Sequence, residues 1–167
     1  PDGKCIIITK FHPKPTAPLT VSYIDENLKI GMIRSHPQMY AREFETFKLF
    51  DGLIIEGGGL GHLPVIVSDE LCPENEKISA VVKMLAKKIP VVMTSQTIFG
   101  RVNLNVYSYG IKLKECGVLG DNTDMLAETA LVKLAWLLTN HKEKVKELIG
   151  QNLKGEISER SDTNFIE

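Results

Sequence analysis

Two segments hold the residues whose types and spacing can do chemistry. The first is Glu56-Gly-Gly-Gly-Leu-Gly-His62, four glycines and a histidine directly after an apolar run. Glycines let a backbone turn tightly and come close to another group. Their N–H groups can hold an anion or a carboxylate. The plainer reading is a tight turn with close strand–helix packing. A dinucleotide fingerprint is excluded, because GxGxxG counted from Gly57 needs glycine where His62 stands. His62 can serve as a ligand, as a proton carrier or simply as a surface histidine. The second segment is Thr94-Ser95-Gln96, followed by Gly100-Arg-Val-Asn-Leu-Asn-Val-Tyr-Ser-Tyr-Gly110. Ser95, Gln96, Asn103, Asn105 and Tyr107 can hydrogen-bond a small polar ligand, or they can satisfy their own backbone. Such a long polar stretch after an apolar run favours a binding role. There is no GxSxG nucleophile elbow and no P-loop. His12, His36 and His141 form no cluster, and no CxxC spacing exists, so no metal site is predicted.

These segments need elements to position them. Lys29–Ile33, Asp51–Glu56 and Pro90–Thr94 read as strands that are apolar along their whole length. Strands look like this when helices cover both faces of a parallel sheet. Tyr40, Phe44 and Phe47 recur at helical spacing, as do Ile78, Val81, Val82 and Leu85. Alternating strands and helices predict right-handed βαβ crossovers in a small open parallel sheet. Ligands gather beyond the carboxyl ends of such strands, which selects the same two segments. Asp121-Asn-Thr-Asp124 offers N-capping side chains for a helix from Met125 to Leu138, with Leu126, Ala130, Leu134 and Leu137 toward a core. His141–Ile149 reads as a short helix with Gly150 at its C′ position. Lys4–Lys10 reads as a strand, and Thr20–Ile24 as a strand or an extended arm. The expected organisation is an extended segment over 1–27, an α/β domain over 28–155 and a polar tail over 156–167.

Composition sets outer limits. The chain has 167 residues, 43% of them hydrophobic and 25% charged. That is ordinary globular usage for one domain. Twenty basic and twenty-one acidic residues leave a net charge of −1. No overall basic excess exists to drive nonspecific phosphate binding, although a local basic patch stays open. No apolar run approaches the ~20 residues of a membrane span. Cys5, Cys72 and Cys116 are far apart and odd in number, against a disulfide framework and in favour of a reduced, cytoplasmic setting. The first residue is Pro1 and no secretory signal follows it, which points to a processed chain or to part of a longer protein.

Three stretches together resemble one family. The run Val91–Gly110, the run Gly52–His62 and the run Asp124–Trp136 look like the D subunit of the archaeal glutamyl-tRNA(Gln) amidotransferase, with Gly155-Glu-Ile157 near the end. The D subunit belongs to the wider L-asparaginase family. The likeness runs from about Leu28 to Ile157. It implies an asparaginase C-terminal-domain-like fold within a two-domain parent. In that family the larger N-terminal domain carries the nucleophilic threonine, a Thr-Asp pair and a lysine. The smaller domain helps form the dimer and lends residues to a neighbouring active site. The D subunit releases ammonia from glutamine. The E subunit uses that ammonia, with ATP and Mg, to convert Glu-tRNA(Gln) to Gln-tRNA(Gln). Neither the TGGT nor the GTDT segment of the family is present. Thr123-Asp124 and Asp162-Thr163 do not match them. The resemblance therefore implies the C-terminal domain alone, with no catalytic residue and no cofactor of its own, inactive in isolation and prone to self-association. Gly59, Gly61 and His62 fall in the loop that approaches the neighbouring site. Tyr107 stands about where bacterial asparaginases use a glutamate. Ser95, Gln96, Asn103 and Asn105 shape the loop or the interface. Gly58 stands where the family is expected to have threonine. Two other readings stay open: the same part of an L-asparaginase, or a stand-alone module binding a small polar ligand.

Overall fold

The three apolar runs form a parallel sheet in the order β1-β2-β3, with β1 at Ile30–Arg34, β2 at Gly52–Gly57 and β3 at Val91–Ser95. The computed structural model describes residue 16 and residues 18–159. Ile30 lies opposite Gly52, and Leu53 opposite Val91. Side chains of a strand alternate between faces. Leu53, Ile55, Val91 and Met93 accordingly enter one core, and Ile54 and Val92 enter another. The first core is covered by a 3₁₀ helix (Ala41–Leu49) and by α1 (Glu74–Ala86) and α2 (Ser108–Cys116). The second is covered by α3 (Ala127–Asn140) and α4 (Val145–Leu148). β2 and β3 thus do what their composition predicts, burying both faces under helices, whereas the edge strand β1 leaves Met32 exposed. Beyond β3, Leu119 adds one parallel bridge to Val92. Its N–H donates to the Val91 carbonyl and its carbonyl accepts from the Met93 N–H, both at 2.8 Å. Among the described residues no helix is long and apolar enough to cross a membrane.

Several local expectations give way to tertiary demands. The Tyr40–Phe44–Phe47 face is 3₁₀ rather than α. With three residues per turn, Phe44 and Phe47 eclipse each other and are both buried, while Tyr40 falls outside the turn and is half exposed. The polar stretch up to Gly117 contains α2, which its weak apolar pattern did not announce. Gly110 lets this helix pass close to the backbone: a Cβ there would lie 2.7 Å from the Leu104 Cα. No side chain caps α3, whose N-cap is Leu126, an exposed residue. Asp121 and Asp124 are drawn instead into long-range contacts. Asp124 accepts from the Ser158 N–H and pairs with Arg101 at 3.2 Å. The expected helix over 141–149 breaks into a 3₁₀ turn (Lys142–Lys144) and α4. Gly150 does not take the left-handed conformation of a C′ glycine. Thr20–Ile24 forms no strand, and the arm is tied to α3 by the Asn140 amide donating to the Tyr23 carbonyl. The expected strand over Lys4–Lys10 lies outside the described residues.

Residues 156–159 dock on this chain's own second core. Ile157 is buried there. Glu156 lies 2.7 Å from Lys133, whose side chain is only 6% exposed. The same carboxylate accepts from the Leu153 and Lys154 N–H groups, and Lys133 also donates to the Gln151 carbonyl. Burial alone would raise the Glu156 carboxyl, but Lys133 and the backbone donors outweigh it and hold it at about 2. A lowered carboxyl stabilises the fold above its unfolded value, and the gain disappears as pH falls through the folded value. Glu156→Gln is therefore expected to cost about 2–3 kcal/mol at pH 7, because it removes the counter-charge of a buried ammonium. Urea unfolding of both proteins from pH 7 down to pH 2 should show the difference shrinking below about pH 4.5.

Candidate functional site

The carboxyl ends of β2 and β3 deliver both sequence segments to the same end of the sheet. The glycine loop closes on itself. The Gly58 N–H donates to the His62 carbonyl at 3.0 Å, and the Gly61 and His62 N–H groups donate to the Gly58 carbonyl at 3.0 and 2.8 Å. Gly59 and Gly61 adopt φ of +52° and +97°, conformations that side chains other than glycine rarely adopt. Three of the N–H groups that could have held an anion are thus engaged inside the loop. Gly57 is compressed as well: a Cβ there would lie 2.6 Å from the Met93 sulfur and 2.8 Å from the Gly61 backbone.

Ser95 and Gln96 fasten this loop to the sheet. The buried Ser95 hydroxyl donates to the Gly59 carbonyl at 2.6 Å. Its oxygen accepts from the Thr97 N–H at 3.1 Å and shares a hydrogen bond with the Thr97 hydroxyl. A hydroxyl that donates to a carbonyl has no base to take its proton, so this arrangement is not that of an activated nucleophile. The Gln96 amide donates to the Ser35 and Glu56 carbonyls at 2.7 and 2.9 Å. Its backbone N–H donates to the Gly57 carbonyl at 2.8 Å. Gln96 therefore ties the ends of β1 and β2 together.

Two aromatic rings flank His62. Tyr107 meets it edge-on at 5.2 Å between centroids, and Tyr109 at 6.4 Å. The His62 Nε2 is buried and has no hydrogen-bond partner among the described residues. A buried polar atom without a partner costs about 1–3 kcal/mol, so a group that covers it and bonds it is favoured. Tyr107 is half exposed beside it.

Asn103 and Asn105 are engaged differently. The Asn103 N–H donates to the Leu60 carbonyl, which pins the second segment to the glycine loop. The Asn105 amide donates to Asp121 at 2.8 Å, and Lys114 donates to both Asn105 and Asp121 at 2.6 and 3.0 Å. Burial pushes the Asp121 carboxyl up, but the Leu104 N–H, Lys114 and Asn105 together hold it below its ordinary value. The structure thus gathers Gly59, Gly61, His62, Ser95, Gln96 and Tyr107 around one loop, and uses the Asn105 side chain in a fastening network. Thr97, Tyr109, Lys114 and Asp121 are not singled out by the sequence. Tyr109 sits two residues beyond Tyr107, a spacing that is visible there. Asp121 reads locally as a helix cap, because nothing nearby in sequence reveals its contact across 17 residues with Leu104. Among the described residues no three His, Cys, Asp or Glu side chains are placed to hold a metal ion.

Comparison with known proteins places this geometry. The model of the glutaminase/asparaginase C-terminal domain matches residues 29–148. The chain is similar to the D subunit of the glutamyl-tRNA(Gln) amidotransferase of Methanobrevibacter smithii, at 41% identity over 83% of the chain and 30% of that protein. It is also similar to the D subunit of the same amidotransferase from Methanothermobacter thermautotrophicus, at 35% identity over 99% of the chain and 36% of that protein. The chain thus spans about a third of the length of these relatives. Among solved structures it resembles the thermostable L-asparaginase of Thermococcus kodakarensis, with TM-score 0.69 and 30% identity over 79% of the chain and 38% of that protein. It also resembles L-asparaginase I of Vibrio cholerae, with TM-score 0.72 and 27% identity over 89% of the chain and 43% of that protein.

The loop's glycines should differ sharply in what they tolerate. A Cβ at Gly61 would meet Met93 at 2.9 Å and Val102 at 3.0 Å on a backbone with positive φ, whereas one at Gly58 would meet nothing within 4 Å. Thermal unfolding should show Gly61→Ala destabilised by about 1–3 kcal/mol. Gly58→Ala should be neutral or stabilised by about 0.5 kcal/mol.

Proposed function

Because the chain belongs to the glutaminase/asparaginase C-terminal domain family, we propose that it is the C-terminal part of the ammonia-releasing subunit of a tRNA-dependent amidotransferase that makes Gln-tRNA(Gln) from Glu-tRNA(Gln). The observation that carries this reading is the 35–41% identity to amidotransferase D subunits across most of the chain. The enclosing class is that of glutaminases and asparaginases.

In this reading the chain supplies a wall of a neighbouring catalytic centre, not the nucleophile. The self-closed glycine loop holds His62 rigidly, and Tyr107 packs against its edge. The unpartnered Nε2 is a ready donor or acceptor for a polar group brought by the rest of the parent or by a second copy. A tyrosine hydroxyl at neutral pH offers hydrogen bonding without the negative charge that a glutamate would bring. ATP and Mg act at the partner, the E subunit. The assembly is cytoplasmic and joins a homodimer of the parent to that partner.

The test uses the full parent protein with its partner, Glu-tRNA(Gln), glutamine, ATP and Mg. Formation of Gln-tRNA(Gln) is expected, and the isolated 167-residue chain should release no ammonia above background. In the parent, His62→Ala should lower amidation at least tenfold while leaving its melting temperature within a few degrees. Rapid ammonia release from free asparagine, independent of tRNA and partner, would select the L-asparaginase reading instead. Tight calorimetric binding of an amino acid by the isolated monomer, with no reaction by the parent, would select the stand-alone module.

A further inference from the structure

The end of the sheet opposite the glycine loop carries a second surface. A cavity of about 500 Å³ opens where the strands begin, at Leu28, Asp51 and Pro90. Lys87 and Lys88 reach it from the end of α1, and Lys142 and Lys146 from the segment that carries α4. Four ammonium groups thus meet two carboxylates, Asp51 and Glu143. Asp51 is already engaged, accepting from the Lys29 N–H at 2.9 Å.

This charge is not neutralised. All four lysines are exposed, and none forms an ion pair with a described residue. Seven other described cations are ion-paired, among them Arg34 with Glu56, Arg101 with Asp124, Lys114 with Asp121 and Lys133 with Glu156, whereas Lys29, Arg42, Lys83, Lys144 and Lys154 share the unpaired state of these four. A chain whose net charge is −1 thus gathers four unpaired lysines around one cleft. The surface also has length. Lys146 is shared with an adjoining cavity of about 400 Å³ that runs along Gly117–Asp121 to Gly150. A single small anion needs one compact cluster, whereas two joined clefts suit an extended ligand. Flexible ammonium groups on long stems suit a repeating phosphate backbone, which needs charge without fixed geometry.

We propose that this lysine-lined cleft binds the phosphate backbone of RNA. The inference deepens the amidotransferase reading and rests on it for the identity of that RNA as the aminoacylated tRNA substrate. It places the RNA contact at the opposite end of the sheet from His62 and Tyr107, so that anchoring and chemistry use separate surfaces.

The experiment compares the full parent protein, with its partner, against a variant carrying Lys87→Gln, Lys88→Gln, Lys142→Gln and Lys146→Gln. Binding of fluorescently labelled tRNA is measured by anisotropy across a salt series, together with the KM for tRNA and the rate of glutamine hydrolysis. Each lost phosphate contact should flatten the slope of log affinity against log salt by about 0.7–0.9. The expected result is a slope shallower by about 2–3, tRNA binding weakened about tenfold or more near 0.1 M salt, a raised KM for tRNA and unchanged glutamine hydrolysis at saturating tRNA. An unchanged slope and KM in an otherwise active complex would overturn the RNA cleft while leaving the amidotransferase reading in place. If the parent binds RNA but does not amidate it, a flattened slope in the variant would support the cleft and sink the amidotransferase reading alone. Loss of the partner protein from the complex with RNA binding intact would overturn the proposal and assign the lysines to an acidic protein surface.

Discussion

The central strand has no side that faces water. Leu53, Ile54 and Ile55 of β2 are fully buried, although they point alternately to opposite faces. A parallel strand in this position can be satisfied only if both neighbouring strands take its backbone hydrogen bonds and helices cover both of its faces. β1 and β3 meet the first demand, and α1 and α3 on opposite faces meet the second. The requirement also explains why small residues stand where the layers come closest. A Cβ at Gly31 would collide with Phe47, and one at Gly52 with Leu134.

The same burial turns the strand ends into the place where polar chemistry can occur. Once β1 and β2 leave the sheet, their last carbonyls need donors that no further strand provides. Gln96 supplies them at the ends of β1 and β2, and Ser95 ties the glycine loop down beside them. What results is a rigid, self-satisfied platform with one exception. His62 is held against Tyr107 with a buried ring nitrogen that has no partner within the described chain. The platform thus leaves one polar atom ready for an outside partner, in a chain that spans about a third of the length of its relatives.

Charge is distributed unevenly along the same axis. Near the glycine loop, cations are neutralised by nearby carboxylates, as with Arg34 and Glu56. At the opposite end, four lysines remain without ion-pair partners around an open cleft. A near-neutral net charge conceals this asymmetry, because the sum over a chain says nothing of where in space its charges lie.

Much of the architecture was legible in the residues. Apolar runs of strand length, separated by helical periodicity, specify a parallel sheet with two covered faces, because the local hydrophobic pattern and the burial it must satisfy coincide. The glycine run after β2 and the polar stretch after β3 marked the site for a related reason: glycine tolerates φ and approaches that other residues resist. Contacts between residues far apart in sequence were not legible. Asp121 and Asp124 look like helix caps, yet Leu104, Lys114, Arg101 and Ser158 claim them, since a carboxylate binds the best donors it can reach in space. The Tyr40–Phe47 segment keeps its apolar residues but tightens to a 3₁₀ helix, because packing Phe44 and Phe47 together over the sheet outweighs α-helical spacing. By itself the sequence determined which segments are strands, which loop is glycine-rich and which family this is. Only the tertiary structure decided which polar groups pair, which nitrogen is left without a partner and where unneutralised charge collects. These outcomes depend on distances between side chains that only the folded packing brings together.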